Sequence, residues 1–485
     1  MGENKPNVAL ESGGAACLAF ALYLGTCTHG VQWGDPAKLT LYVWSFSPSL
    51  SPEAHLGALV WAWPFAQLPI QPFAFRIALA SVAATSLAVG FLHATLLALA
   101  PRVWPARIGT ASVVVAHTIW FVTAIPESYA VAILAISLAG WLLLARHTPL
   151  AGGAVVALGA FANVLTLFGA PAAIWWLRRR RAADAMRFIA GMGTAASAVF
   201  LLVLPFHSGS IGGAAGEWMR LLQSGVSWRR VASAAPQMAA YLVYNFLSPA
   251  AMLAVVGWRA MSKEARGGFA LFAAPHYLVA LPYVHERAYL IPIPVYVAMA
   301  ALVASGADRT LTRRRATRPW AMLPWAMLAL VAIVPPIVYL ALPVLVRPLG
   351  LPIVRDAPFR DETTFYLRPW KVGDDSAARY VGALDRAIPD GSAVLGDFTI
   401  VMPLIYAQRV EGWKPNCVWE VVDGRSADTL VSAVAGHLVL RRRVFLLDDT
   451  PFYHTTDLRK RWTLTPAGVE SLLELTGAAN SSGAH

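Results

Sequence analysis

Long apolar runs separated by short polar segments recur through the first two thirds of the chain. Runs of bilayer-spanning length fall near 13–29, 76–100, 108–124, 128–145, 187–206, 236–257, 268–284, 288–305 and 319–343. The stretch 149–177 carries Asn163, Thr166, Gly169 and Pro171 near its middle, which predicts two short helices meeting at a polar break. Counted as two, it brings the prediction to about eleven membrane segments. Two connecting loops are themselves apolar. In 30–75, Leu41, Val43, Trp44, Phe46, Leu59, Trp61, Trp63 and Phe65 are punctuated by prolines, the pattern of short helices lying in a membrane interface. In 207–235, Trp218, Met219, Leu221, Leu222 and Trp228 alternate with Arg220, Arg229 and Arg230, and the same reading applies.

After Pro343 the period changes. Residues 374–388 read as an amphipathic helix, 392–397 as a buried strand, 399–412 as a helix, 417–422 as a strand, 427–438 as a helix and 444–449 as a strand. Such alternation predicts a small parallel α/β sheet. The expected fold is therefore mainly α: a polytopic membrane helix bundle over 1–343 with outer loops 30–75 and 207–235, then an extracytoplasmic α/β domain over 344–485.

Composition agrees, with 57% hydrophobic residues, 14% charged and a mean hydropathy of +0.55. The first apolar run lacks a clear small-residue cleavage site before His29, so the first helix is expected to stay. Three cysteines, Cys17, Cys27 and Cys417, exclude a disulfide framework. The net charge of +12 is uneven: up to Pro343 there are 23 Lys and Arg against 10 Asp and Glu, and afterwards 16 against 17. A surplus between membrane helices is a topology signal, not a nucleic-acid footprint. Arg102 and Arg107, Arg146, Arg178 to Arg181, Arg259 with Lys263 and Arg266, and the arginines from Arg309 to Arg318 are expected on the cytoplasmic side of a cell (inner) membrane. The N-terminus joins them. The 30–75 loop, the Pro126-Glu127 turn, the His285–Arg287 turn and everything after about 344 then lie outside.

Acids are scarce in the membrane half, and most of the outer ones stand at helix ends or in the apolar loop, where a carboxylate is costly unless paired or used. Asp35, in HGVQWGDPAK, is either a turn former before Pro36 or a general base for an acceptor hydroxyl at the membrane surface. Glu127, in IPESY, is either a cap on the following helix or a site residue. Glu53 and His55 form a second polar pair on the first loop. His285, Glu286 and Arg287 stand in a row at an outer helix boundary, where Arg287 either snorkels or binds a lipid phosphate through its planar fork. His93, His117 and His276 lie inside helices and read as buried, hydrogen-bonded histidines. No pair of histidines or carboxylates has metal-site spacing on a helix face, so no cofactor is predicted, with a divalent metal left open. Asp448-Asp449 and Arg441–Arg443 read as turn chemistry and a solvated charge run.

HGVQWGDPAKLTLYV followed by SPEAHLGALVWAWPFAQLP resembles the first-loop signature of bacterial relatives of the transmembrane protein O-mannosyltransferase-like family, within the GT-C class of membrane glycosyltransferases. HTIWFVTAIPESYAV, GAFANVLTLFGAP, ERAYLIPIPVYVAMA and IPDGSAVLGDFTIVMPLIYAQRVEGWKPN resemble, in order, its second outer turn, its short-helix break, its late outer turn and its C-terminal region. Three positions depart from the pattern: Lys38 stands where a second acid is usual, His55-Leu56-Gly57 replaces a His-Pro-Pro-Gly-like step, and Val164 follows Asn163 in place of histidine. The resemblance implies a polyprenyl-phosphate-linked sugar as donor, a protein or glycan acceptor, and inverting transfer with Asp35 as base. Glu127, His55, Glu53, His285, Glu286, Arg287 and Asn163 would bind donor or acceptor. Two other readings stay open: a transporter or flippase for a lipid substrate, and a non-catalytic membrane scaffold presenting the C-terminal domain.

Overall fold

The structure is a computed structural model of the whole chain, described for residues 7–49, 54–100, 102–206, 227–247, 249–283, 286–314, 322–350, 357–422, 427–449 and 453–478. Helices dominate it. Among the described residues four are long and apolar enough to cross a membrane: Phe73–Leu99, Ser128–Ala145, Ala182–Phe206 and Leu323–Leu349. Two bent pairs raise the number to as many as six, among them Val103–Val114 with His117–Thr123, which meet at 62°. The eleven segments counted from hydropathy include further helices, such as Val8–Leu24, Pro149–Ala162 and Lys263–Ala280, that are shorter or more polar than this criterion.

The polar break predicted in 149–177 is present. Helix Pro149–Ala162 stops at Asn163, whose extended backbone leaves the helix while its side chain accepts from the Leu165 amide at 3.2 Å. A 3-10 turn, Val164–Gly169, then leads into helix Ala170–Arg180. Thr166 closes the turn by donating to the Asn163 carbonyl at 2.7 Å. The first loop likewise forms two short helices, Asp35–Ser45 and Leu56–Ala66. Most of the 207–235 loop lies outside the described residues; from its end, helix Val231–Asn245 is described.

Helix pairs come together through glycine. A Cβ on Gly257 would land inside the Leu302 carbonyl, and one on Gly306 inside the Leu253 carbonyl, so helices Pro249–Ala260 and Ile293–Arg314 cross with their backbones in contact. Gly153 and Gly191 make the same reciprocal contact with the carbonyls of Phe188 and Leu150. Close approach through small residues is how helices associate where lipid removes the hydrophobic drive.

The two ends of the bundle differ. At one end Arg102 donates to Thr312 at 2.8 Å and lies 3.4 Å from Asp308, while Arg107 pairs with Glu11 at 2.7 Å. At the other end stand Asp35, Glu127 and Arg287, the last just before helix Ile293–Arg314. That helix, at 22 residues, is about 33 Å long, close to the thickness of a hydrocarbon core.

The C-terminal part contains a five-stranded sheet: β1 Ala393–Gly396, β2 Val418–Val421, β3 Val444–Leu446, β4 Trp462–Pro466 and β5 Leu473–Ala478, ordered β2-β1-β3-β5-β4. β1 runs parallel to both β2 and β3, with Ala393 opposite Val418 and Val444. These are the three strands expected from sequence. β4 and β5 add an antiparallel hairpin that the sequence reading did not anticipate. Helix Phe398–Glu411 follows β1, capped by Asp397, whose carboxylate accepts from the Thr399 and Ile400 amides at 2.7 and 3.3 Å. Its core extends into the first loop: Val31, Trp33, Ala37 and Leu41 are buried together with Tyr380, Leu384, Ile400 and Leu404.

Replacing Gly306 with alanine should force the two helices apart and cost about 1–3 kcal/mol. A drop in thermal midpoint of the detergent-solubilised protein checks this. Gly140→Ala, whose added methyl meets no atom within 4 Å, should leave the midpoint level or raise it.

Candidate active site

Asp35 owes its position to its neighbours. Gly34 has φ +68°, a left-handed conformation that glycine adopts without strain, and this turns the chain into helix Asp35–Ser45, with Pro36 preset for the first turn. The Gly34 amide donates to the Thr399 carbonyl at 3.1 Å, and the Trp33 indole donates to Ser376 at 2.9 Å. The first turn of the helix after β1 thereby fixes the residue just before the acid.

Glu127 precedes helix Ser128–Gly140 in an extended conformation, its amide donating to the Ser81 hydroxyl at 3.1 Å. It takes the N-cap position of that helix, but its side chain makes no cap hydrogen bond to the following amides. It meets Arg287 instead, which sits in the 3-10 turn Glu286–Leu290. One nitrogen of that guanidinium, Nη1, donates to Asp35 Oδ2 at 2.8 Å and to Glu127 Oε1 at 3.3 Å. Three residues from three separate segments thus form one cluster, with Arg287 paired to acids and not snorkelling to a surface. Asp35 lies at its mouth, with 48% of its side chain exposed, whereas Glu127 is buried at 6%.

Burial pushes the Glu127 carboxyl up to about 7; the Asp35 charge adds to this and Arg287 opposes it. Burial alone would lower Arg287, but Asp35 and Glu127 hold it above its ordinary value, so it stays cationic. The cluster therefore combines an exposed carboxylate, a permanent cation with phosphate-matching geometry and an inner acid that titrates near neutrality.

Asn163 and His55 form a supporting layer. Asn163 Nδ2 donates to the Ser128 hydroxyl at 3.3 Å, beside Glu127. His55 Nδ1 lies 3.0 Å from the Ala162 carbonyl, where the polar break begins. Gly57 allows this contact, since a Cβ there would stand 2.7 Å from the Ala162 nitrogen. Lys38 lies one turn beyond Asp35, with its ammonium 5.6 Å from the Tyr42 ring centroid and 5.4 Å from that of Phe398. Glu53 and His285 lie outside the described residues; Glu286 is described only in its backbone, within the Arg287 turn. His276 is a satisfied helix histidine, within 2.9 Å of the Phe272 carbonyl and 3.3 Å of the Leu165 carbonyl. Among the described residues no group of three or more His, Cys, Asp or Glu is arranged to hold a metal ion.

Sequence reasoning missed Ser81 and Tyr366. Ser81 sits in an apolar helix with no local signal of its role. Tyr366 lies in helix Glu362–Leu367, close enough to Arg287 to act on it electrostatically. Lys371 ties that helix's end by donating to the Phe365 carbonyl at 2.7 Å, with its ammonium 4.4 Å from the Phe121 ring centroid.

No protein-family model and no curated protein matches the chain. Its fold is shared with two solved structures. The likeness is to ArnT from Cupriavidus metallidurans: the crystal structure bound to undecaprenyl phosphate aligns over 98% of this chain and 99% of its own, with TM-score 0.59 and 11% identity. The apo state of the same protein gives TM-score 0.55 and 12% identity over 98% and 99%.

Because the folded-state pKa of Glu127 lies above its ordinary value of 4.5, its contribution to stability is fully present below pH about 4.5 and lost as pH rises through about 7. The protein should therefore melt at a lower temperature at pH 8 than at pH 6. Glu127→Gln should flatten this fall, and an unchanged fall would assign it to another group.

Proposed function

We propose that the chain is a GT-C-type glycosyltransferase that moves a sugar from a polyprenyl-phosphate-linked donor to an acceptor hydroxyl at the outer face of the membrane. The observation that carries this reading is the single guanidinium nitrogen of Arg287 within 2.8 Å of Asp35 and 3.3 Å of Glu127. Its setting adds support, since the fold is shared with a protein crystallised with undecaprenyl phosphate.

Asp35, exposed at the mouth, accepts the proton of the acceptor hydroxyl. The acceptor oxygen attacks the anomeric carbon and forms the new glycosidic bond with inversion. The bond from that carbon to the phosphate oxygen breaks, and the electron pair leaves with the polyprenyl phosphate. Arg287 stabilises the departing phosphate through its fork, worth most in a site shielded from water. Glu127 holds the guanidinium in place and, with a pKa near 7, adjusts the charge around it. Asn163 and His55 brace the loop that carries Glu127, while Glu53, His285 and Glu286 complete the donor and acceptor contacts. A hexose donor and a protein or glycan acceptor follow from the O-mannosyltransferase-like resemblance of the first loop. The positive-inside pattern supports an inner-membrane location, with the N-terminus cytoplasmic and the α/β part outside. A flippase would favour ionisable groups at the bilayer midplane, and this cluster stands at helix ends.

Asp35→Asn should lower release of undecaprenyl phosphate from an undecaprenyl-phosphate-linked hexose by about 100-fold or more, with membrane insertion unchanged. Unaltered turnover would remove the base role. Arg287→Ala should weaken binding of undecaprenyl phosphate itself by about 10- to 100-fold, as expected for loss of a charged hydrogen bond.

A further inference from the structure

Helix Ser128–Ala145 begins beside Glu127 and ends beside Arg146, 18 residues and roughly 27 Å away, close to the thickness of a hydrocarbon core. At that far end a second charged surface is assembled from three segments. Arg146 follows the end of this helix, Arg178 to Arg181 join helices Ala170–Arg180 and Ala182–Val203, and Lys263 and Arg266 stand in the first turn of helix Lys263–Ala280. The segments meet there: Arg180 Nη1 lies 3.4 Å from His147 Nδ1, and a Cβ on Gly268 would stand 3.2 Å from the Trp175 ring.

Two features separate this surface from a solvated charge run. First, its cations are uncompensated. Arg146 and Arg178 to Arg181 make no ion pair among the described residues. The neighbouring acids are engaged elsewhere: Asp184 pairs with Arg187 at 3.0 Å, and Glu264 is held by its own backbone amide and Ser262, acting on Arg179 only at longer range. In the run Arg441–Arg443, by contrast, the last arginine is paired with Glu474 at 2.6 Å. Second, aromatic rings hold the guanidinium groups. Arg179 lies over Trp175 with 4.7 Å to the ring centroid, Arg180 over Trp176 at 4.1 Å and Arg146 over Trp141 at 5.4 Å. Trp176 packs on the cluster around Leu143 and Phe188, and Trp175 on the backbone at Gly268, so both rings are fixed. A guanidinium over a ring face keeps its N–H donors in its own plane, directed past the ring and able to fork around a pair of anionic oxygens.

The surroundings select the anion. Leu150, Met186 and Ile189 stand exposed within about two or three turns of the arginines, an apolar surface that hydrocarbon would cover. A phosphate that carries acyl chains satisfies both parts, whereas a nucleic acid or a soluble anion leaves the apolar part in water. We propose that Arg179 and Arg180, stacked on Trp175 and Trp176, bind the phosphates of anionic phospholipids in the leaflet away from Asp35. Several unpaired guanidinium groups on one open surface suit a leaflet of such headgroups, and a single carrier lipid would leave most of them unmet. The surface is separate from the Arg287 cluster and does not depend on the reaction proposed above.

Native mass spectrometry of the full chain, after incubation in detergent with equal amounts of dioleoyl phosphatidylglycerol and dioleoyl phosphatidylcholine, tests the proposal. Wild type should retain phosphatidylglycerol in preference by about ten-fold or more, and Arg179→Gln with Arg180→Gln should bring the two lipids near parity. Arg386→Gln with Arg409→Gln removes two exposed, unpaired arginines of the C-terminal part and should keep the wild-type preference. Raising the salt from about 50 to about 500 mM should cut the wild-type preference several-fold, a measurement that needs no variant to fold. Added undecaprenyl phosphate should leave the retained phosphatidylglycerol in place. The proposal is overturned if wild type retains both phospholipids equally, if the Arg179 and Arg180 variant or added salt leaves the preference unchanged, if the control pair loses it as well, or if undecaprenyl phosphate displaces phosphatidylglycerol.

Discussion

Everything at the Asp35 end of the bundle converges on one guanidinium. Arg287 holds Asp35 across 252 residues of sequence and Glu127 across 160. A carboxylate as buried as Glu127 is costly next to apolar helices, and removing its cation would leave an uncompensated charge. The cluster therefore constrains three segments at once: the first-loop helix, the turn before Ser128 and the turn before Ile293. The same pairing separates two acids by environment, one exposed and one held near neutral pKa, and gives them different chemistry.

The C-terminal part is built into this arrangement. Its core takes in Val31, Trp33 and Ala37 from the first loop, and the first turn of the helix after β1 accepts the Gly34 amide. The Lys371 amide donates to the Thr26 carbonyl at 2.8 Å, and the Tyr244 hydroxyl to the Leu367 carbonyl at 2.6 Å. Segment 362–371 thus lies over the bundle and brings Tyr366 toward Arg287. Displacing the sheet would move the backbone on which Asp35 stands.

Periodicity carried much of this architecture. Apolar runs, the polar break at Asn163 and the alternation of strand and helix after 374 are local patterns, readable because each depends on side chains within a few residues. The hairpin of β4 and β5 was overlooked although Trp462-Thr463-Leu464-Thr465 and Leu473-Glu474-Leu475 alternate apolar and polar, the period of a half-buried strand; each run is only a few residues long. At the site, the scarcity of outer acids singled out Asp35 and Glu127, and the His-Glu-Arg run singled out Arg287. That they meet is long-range information with no local trace. Lys38 illustrates the limit: a second acid was sought three residues after Asp35, whereas the second carboxylate of the cluster arrives from Glu127 on another loop. His55 and Asn163 were legible as polar residues in apolar surroundings, yet their roles as braces depend on the Ala162 carbonyl and Ser128.

The central claim, that the Arg287 cluster receives the phosphate of a polyprenyl carrier, is tested most directly by determining the structure of the full chain with undecaprenyl phosphate added. The account predicts a phosphate oxygen at hydrogen-bond distance from the Arg287 guanidinium, with the polyprenyl tail running between helices and Asp35 facing the open side. A phosphate bound elsewhere, with Arg287 still engaged by both carboxylates, would contradict it.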